Sequence, residues 1–161
     1  MTGLLDYVKA LEGRPNKARG EQVLTFLEEL GVEATIQESR LLRLRNIIVD
    51  LPPGPVQKRM LFSAHYDAYP GSPAANDNAS GVAVLLGLCQ ELREGQVPMR
   101  AVFFDREEAW LRTPFLRLGL RGSLYHAFRH SLQDITAVYN LEFCGMGDYL
   151  VLWPIGNGDK D

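Results

Sequence analysis

Cysteine is scarce in this chain: there are two in 161 residues, Cys89 and Cys144, and they form no C-x-x-C pair. That argues against a disulfide scaffold and against a thiolate or iron–sulfur centre, which need several suitably spaced thiols. Both cysteines sit in apolar contexts, which predicts two buried, reduced thiols. Positive charge is not in excess either. The chain has 17 Lys and Arg against 20 Asp and Glu, a net charge of −3, so nucleic acid finds no electrostatic footprint. Long apolar runs are also lacking. A stretch such as Val82–Leu88 falls far short of the about 20 residues that cross a bilayer, so no membrane partner is expected. Met1–Gly13 is amphipathic and charged, without the apolar centre of a signal peptide, which predicts a cytoplasmic protein.

What remains is ordinary globular composition, 46% hydrophobic and 23% charged with nine prolines and fifteen glycines. It predicts a single domain over residues 1–161 with a proper core. Leu4, Leu5, Val8 and Leu11 repeat at helical spacing until Gly13-Arg14-Pro15. A second helical face carries Val23, Leu24, Phe26, Leu27 and Leu30, stopped by Gly31. Val32–Gln37 and Leu41–Leu51 read as strands closed by Pro52-Pro53-Gly54-Pro55. Met60–Ala64 is a short apolar run, hence a buried strand ending at His65. Gly81–Leu92 is long and apolar enough for a buried helix. Arg100–Phe104 reads as a strand, Ser123–Leu132 as a helix, Ile135–Phe143 as a strand and Tyr149–Trp153 as a last short one. Alternating strands and helices predict an α/β sheet with right-handed crossovers, whose ligands bind beyond the carboxyl ends of the strands.

The polar residues that stand out lie at those ends. His65-Tyr66-Asp67 puts an imidazole and a carboxylate on the same side of an extended segment. Asp67 could then take the ring proton of His65 that faces away from a metal. Asp77, inside Asn76-Asp77-Asn78-Ala79-Ser80-Gly81, precedes the buried helix, where the positive end of the dipole favours an ionised carboxylate; it reads equally as a helix cap. Glu107-Glu108 closes an apolar strand. Such a pair is either solvated, or divided between binding a metal and acting as general base on metal-bound water. Glu142 lies at the end of an apolar strand, where an unpaired carboxylate is costly and a cation partner is expected. Oxygen-rich ligation with one histidine suits zinc, cobalt or manganese.

In order and approximate spacing, these four motifs resemble the co-catalytic di-zinc aminopeptidases, metallopeptidase family twenty-eight. The resemblance covers about residues 18–154 and includes Gly122-Ser123, similar to the Gly-Ser that starts a helix there. It implies a three-layer α/β zinc-exopeptidase-like fold, a mostly parallel mixed sheet flanked by helices. Its C-terminal strands, and the histidine that completes the family's second metal site, would lie beyond Asp161. It further implies that His65, Asp77 and Glu142 hold one zinc ion, and that Asp77 bridges to a second held by Glu108. Glu107 would be the general base of peptide hydrolysis, Asp67 the partner that orients His65, and Asp77–Asn78 a cis peptide. Most relatives carry Asp where Glu142 stands. Phe104-Asp105-Arg106-Glu107-Glu108-Ala109 is also similar to a motif of the glutaminyl cyclases, single-zinc acyl transferases of the same fold. A shortened, non-catalytic relative is the third reading. Trp110–Arg121 would wall a pocket, pack as a surface loop, or form a homo-oligomer contact. His126 and His130, four residues apart on a helix, are expected to face solvent.

Overall fold

In a computed structural model of the protein, which describes residues 3–94, 97–108, 111–112, 117–149 and 151, the apolar runs become a mixed sheet between helices. The chain starts with α1 (Leu4–Leu11) and α2 (Asn16–Glu29), followed by the strands β1 (Thr35–Ser39), β2 (Leu44–Leu51) and β3 (Arg59–His65). An irregular turn at Ala75–Ala79 leads into α3 (Ser80–Leu92) and β4 (Met99–Phe104). The two-residue strands β5 (Leu111–Arg112) and β6 (Arg117–Leu118) pair with each other before α4 (Arg121–Arg129) and β7 (Ile135–Asn140).

The main sheet has the order β1-β2-β4-β3-β7. β3 runs parallel to β4 and β7, whereas β2 is antiparallel to both of its neighbours. Register aligns His65 with Phe104 and Ser63 with Asn140. The segments that follow β3, β4 and β7 therefore leave the sheet along one rim.

Side-chain alternation along the strands builds the layers. Ile47, Val49, Ala64, Ala101 and Phe103 share a buried cluster with Tyr7, Leu11, Val23 and Leu27 of α1 and α2, and with Val82, Leu85 and Leu86 of α3. Those three α3 side chains are fully buried, each contributing about 1.5–3 kcal/mol of hydrophobic stabilisation. Ile48, Leu61 and Val102 point to the opposite face with Phe104 and Ile135, where α4 packs and the His126 ring meets that of Phe104 edge-on at 5.8 Å. A Cβ added to Gly122 would come within 2.1 Å of the Asp105 carbonyl. Only glycine lets the start of α4 approach the end of β4 this closely.

Several expectations are corrected. Strand β2 begins at Leu44, because the chain turns through Arg43 at φ 50° and leaves Leu41 on the surface. β7 ends at Asn140, ahead of a bend in which Phe143 has φ 53°. Cys89 is buried as expected, but Cys144 is exposed, since it lies in the uncovered segment after β7. His126 is buried rather than solvent-facing: it sits one turn after Gly122, on the side of α4 turned to the sheet, and its ring stacks on His130 at 4.4 Å. Burial, then the neighbouring His130 and Arg100, push the His126 pKa down to about 4. Tyr149 and Val151 lie outside any strand, and residues 150 and 152–153 of the expected last strand fall outside the described residues. So do residues 110 and 113–116 of the expected pocket wall, although Leu120 lines an apolar recess beside Glu107 and His126.

Candidate metal centre

The rim of β3, β4 and β7 carries the site. Each ligand candidate arrives on a segment whose course the sequence dictates. His65 is the last residue of β3 and is only 3% exposed. Its Nε2 lies 3.1 Å from Asp77 Oδ1, 3.4 Å from Glu142 Oε2 and 3.9 Å from Glu107 Oε2. The other ring nitrogen, Nδ1, is 3.0 Å from the Asp67 carbonyl oxygen and 3.4 Å from its carboxylate. The backbone oxygen of Asp67 is thus the nearer orienting partner. The buried Asp67 carboxylate does something else as well, accepting hydrogen bonds from the backbone N–H groups of Glu107 and Glu108 at 3.0 and 3.1 Å. It ties the end of β4 to the end of β3.

Asp77 lies in the irregular turn before α3, and its peptide bond to Asn78 is cis. The Asn78 amide donates to the Leu141 carbonyl at 2.8 Å, while its oxygen accepts from the Gly81 N–H at 3.1 Å. A Cβ on Gly81 would lie 2.4 Å from both the Leu141 carbonyl oxygen and Asn78 Oδ1. The glycine therefore lets the segment bearing Glu142 close onto the turn bearing Asp77. Glu142 sits just past the end of β7, with a side chain 30% exposed rather than fully buried. Asn140 donates to its Oε1 at 3.0 Å, and Ser63 in turn donates to Asn140 at 2.8 Å.

His65, Asp77 and Glu142 each offer a donor atom within 4.8 Å of the others. In a tetrahedral zinc site with bonds of about 2.0–2.1 Å, ligand atoms lie roughly 3.3 Å apart, close to the 3.1 and 3.4 Å seen from His65. The residues present therefore fit the ion. Glu107 and Glu108 line the same open cleft of about 500 Å³, together with Tyr69, Ser72, Asn140 and Phe143. Glu108 is not one of the three converging donors.

Electrostatics bear on what this cluster holds. Burial opposes charge on His65, but the carboxylates of Asp67 and Glu142 outweigh it and raise the metal-free pKa to about 11. Burial also raises Glu107; His65 works against this shift, and Glu108, Glu142 and Asp67 add to it. Zinc needs the neutral imidazole, so its binding at neutral pH should displace the His65 proton. Zinc affinity is accordingly expected to rise about tenfold per pH unit between about pH 6 and pH 8. Calorimetric titration in buffers of different ionisation enthalpy measures the released proton. A pH-independent affinity would contradict the assignment.

Sequence reading missed Asn78, Asn140 and Arg19 as supports of the cluster. Arg19 had one legible signal: with Val23, Phe26 and Leu30 it falls on the apolar stripe of α2, an odd place for a charge.

A mixed α/β sheet with one imidazole and a set of carboxylates converging at its strand ends defines the class: an α/β protein with a candidate histidine–carboxylate metal site. The sequence profile of Peptidase family M28 matches residues 46–161, and the chain belongs to that family. Among curated relatives, the vacuolar membrane protease of Candida glabrata is 34% identical over 98 residues, 61% of this chain and 10% of that protein. Aminopeptidase YwaD of Bacillus subtilis is 34% identical over 88 residues, 52% of this chain and 17% of that protein. The chain thus spans only a small part of the curated relatives' length. Among solved structures, a Porphyromonas gingivalis glutaminyl cyclase superposes with a TM-score of 0.74 at 23% identity, covering 88% of this chain and 58% of that one. A Zn-dependent exopeptidase of Parabacteroides distasonis gives 0.69 at 22%, covering 88% and 60%. These two matches establish the fold. The expected cytoplasmic location gains no support from relatives named for the vacuolar membrane, and no described helix is long and apolar enough to cross a membrane.

Proposed function

We propose that this chain carries the metal-binding part of a zinc-dependent exopeptidase that hydrolyses the N-terminal bond of peptides. The observation that carries this reading is the convergence of Asp77, Glu142 and Glu107 on Nε2 of His65 in one open cleft. Membership of Peptidase family M28 and the likeness to an aminopeptidase support it. His65, Asp77 and Glu142 would hold the ion. Bound zinc supplies Lewis acidity, polarising a carbonyl and lowering the pKa of water. Glu107 borders this position without belonging to the converging trio, and its raised pKa suits a group that accepts a proton from water and returns it to the leaving amine. Asp67 fixes the backbone of Glu107 and faces His65, so base and ligand are set in mutual register.

The test is incubation of the zinc-loaded protein with short peptides that differ in their first residue. The expected result is release of the free N-terminal amino acid, abolished by a chelator and restored by zinc. Ring closure of N-terminal glutamine with loss of ammonia, and no amino acid released from other peptides, would instead favour an acyl transferase, the reading to which Phe104-Asp105-Arg106-Glu107-Glu108-Ala109 is also similar.

A further inference from the structure

Beneath the cleft lies an arginine that the proposed chemistry does not use. Arg19, on α2, is 0% exposed. Among the described residues it makes no ion pair; its guanidinium donates only to main-chain carbonyls. Nη1 reaches Leu11 at 2.9 Å, Nη2 reaches Ala74 at 3.3 Å, and Nε donates to Tyr66. Leu11 ends α1, Tyr66 follows His65 directly, and Ala74 precedes Asp77 by three residues. Burial works against its charge, and the carboxylates of Asp67 and Asp77 partly offset that.

Burying a cation without an ion-pair partner is costly, and an apolar side chain would fill the same space without that cost. What an apolar side chain cannot do is donate in three directions, which the planar guanidinium does. The rest of this corner converges on the same loop. One turn before Arg19, the Asn16 side chain accepts from the Ala68 N–H at 2.8 Å and donates to the Ala68 carbonyl at 3.3 Å. The Gly13 N–H donates to the Pro73 carbonyl at 2.8 Å. A Cβ on Gly20 would sit 3.1 Å from the Tyr66 ring, whose hydroxyl donates to the Arg45 carbonyl at 2.7 Å. Both ends of the segment between His65 and Asp77 are thus fastened to the corner between α1 and α2, and Arg19 reaches both of them.

We propose that Arg19 is a positioning residue for the metal centre, its guanidinium setting the separation of His65 from Asp77 through the carbonyls of Tyr66 and Ala74. The inference rests on the metal-centre reading above. A residue that merely fills the core would affect stability alone, whereas a positioning residue changes the affinity for zinc in the folded protein.

The experiment is a zinc titration of the folded chain by calorimetry, with the melting temperature of each metal-free variant measured alongside. Arg19→Lys keeps the charge but cannot span three carbonyls. It should weaken zinc binding by about 10–100-fold, the range for removing a support of a metal ligand. Val23→Ala, in the core on the same helix, should lower the melting temperature and leave zinc affinity at the wild-type value. Asn16→Ala, at a half-buried position, should weaken zinc in the same direction by less. Wild-type affinity in Arg19→Lys overturns the proposal, and so does a Val23→Ala variant weakened as much as Arg19→Lys. If Arg19→Lys fails to fold, Asn16→Ala decides: unchanged affinity there overturns the clamp. A wild-type chain that binds no zinc overturns the metal-centre reading and this inference together, whereas wild-type zinc affinity in Arg19→Lys overturns the inference alone.

Discussion

Glu107→Gln is expected to lower peptide hydrolysis by about 10²–10⁴-fold, the usual contribution of a positioned general base, while zinc affinity stays near the wild-type value. Glu107 lies in the cleft 3.9 Å from His65 Nε2 but outside the trio of converging donors. The amide has nearly the same shape as the carboxylate and can still occupy that position, but it cannot accept the proton from water. Steady-state hydrolysis measured beside a zinc titration separates the two effects. A variant that keeps its turnover removes Glu107 as the base. A variant that loses zinc as well makes it a ligand instead.

The largest effect on stability is expected far from the cleft, at the amino-terminal ends of β3 and β4. Asp50 accepts two hydrogen bonds from Arg100, at 2.7 and 3.0 Å, and pairs with Arg59 at 2.7 Å. Both arginines are buried. Removing one partner of such a pair leaves an uncompensated charge, which costs 3–5 kcal/mol in a fully buried setting; because Asp50 is partly exposed, about 3 kcal/mol is expected for Asp50→Ala. Arg59 keeps Asp134 at 2.9 Å and the Gly54 carbonyl at 3.1 Å, so most of the loss falls on Arg100. Burial by itself would raise the Asp50 pKa, but Arg100 and Arg59 outweigh it and hold the carboxyl below its ordinary value. A depressed carboxylate pKa contributes stability above the unfolded value, and that contribution is lost as pH falls through the folded value. The deficit of Asp50→Ala relative to wild type should therefore be full at neutral pH and shrink in acid. Urea unfolding at several pH values measures it. A loss below about 0.5 kcal/mol at pH 7 would mark the cluster as no better than a surface ion pair.

The elements that carry the cleft were the most legible. β3 and β4 are apolar runs covered on both faces, and α3 is too long and apolar to be anything but a buried helix. Their ends could be read because a charged or polar group interrupts each run: His65 at the end of β3, Asp105 after β4, and the Asn-Asp-Asn turn before α3. Edges were harder. β2 and β7 came out shorter than expected, because a turn through positive φ at Arg43 or Phe143 leaves no mark in hydrophobic periodicity. Cys144 and His126 were misplaced for a related reason. Their exposure depends on which segment covers them, and that is settled by tertiary packing rather than by neighbours in sequence. Within the site, the residues that touch one another were visible as motifs, whereas the hydrogen bonds that hold them were not. Asn78 to Leu141, Asn140 to Glu142 and Arg19 to Tyr66 each depend on how separate segments meet. Of these supports, Arg19 left one trace, a charge on the apolar stripe of α2, but its neighbours Lys17, Gly20 and Glu21 give no sign of which carbonyls it meets.

Function at this cleft depends on whether the rim of the sheet binds a metal through His65. Zinc stoichiometry and affinity measured for the purified chain beside its His65→Ala variant test this most directly. Saturable binding by the wild type that is lost in His65→Ala is the predicted result. A wild-type chain that takes up no zinc, or a variant that binds it as tightly, would rule out His65 as a metal ligand.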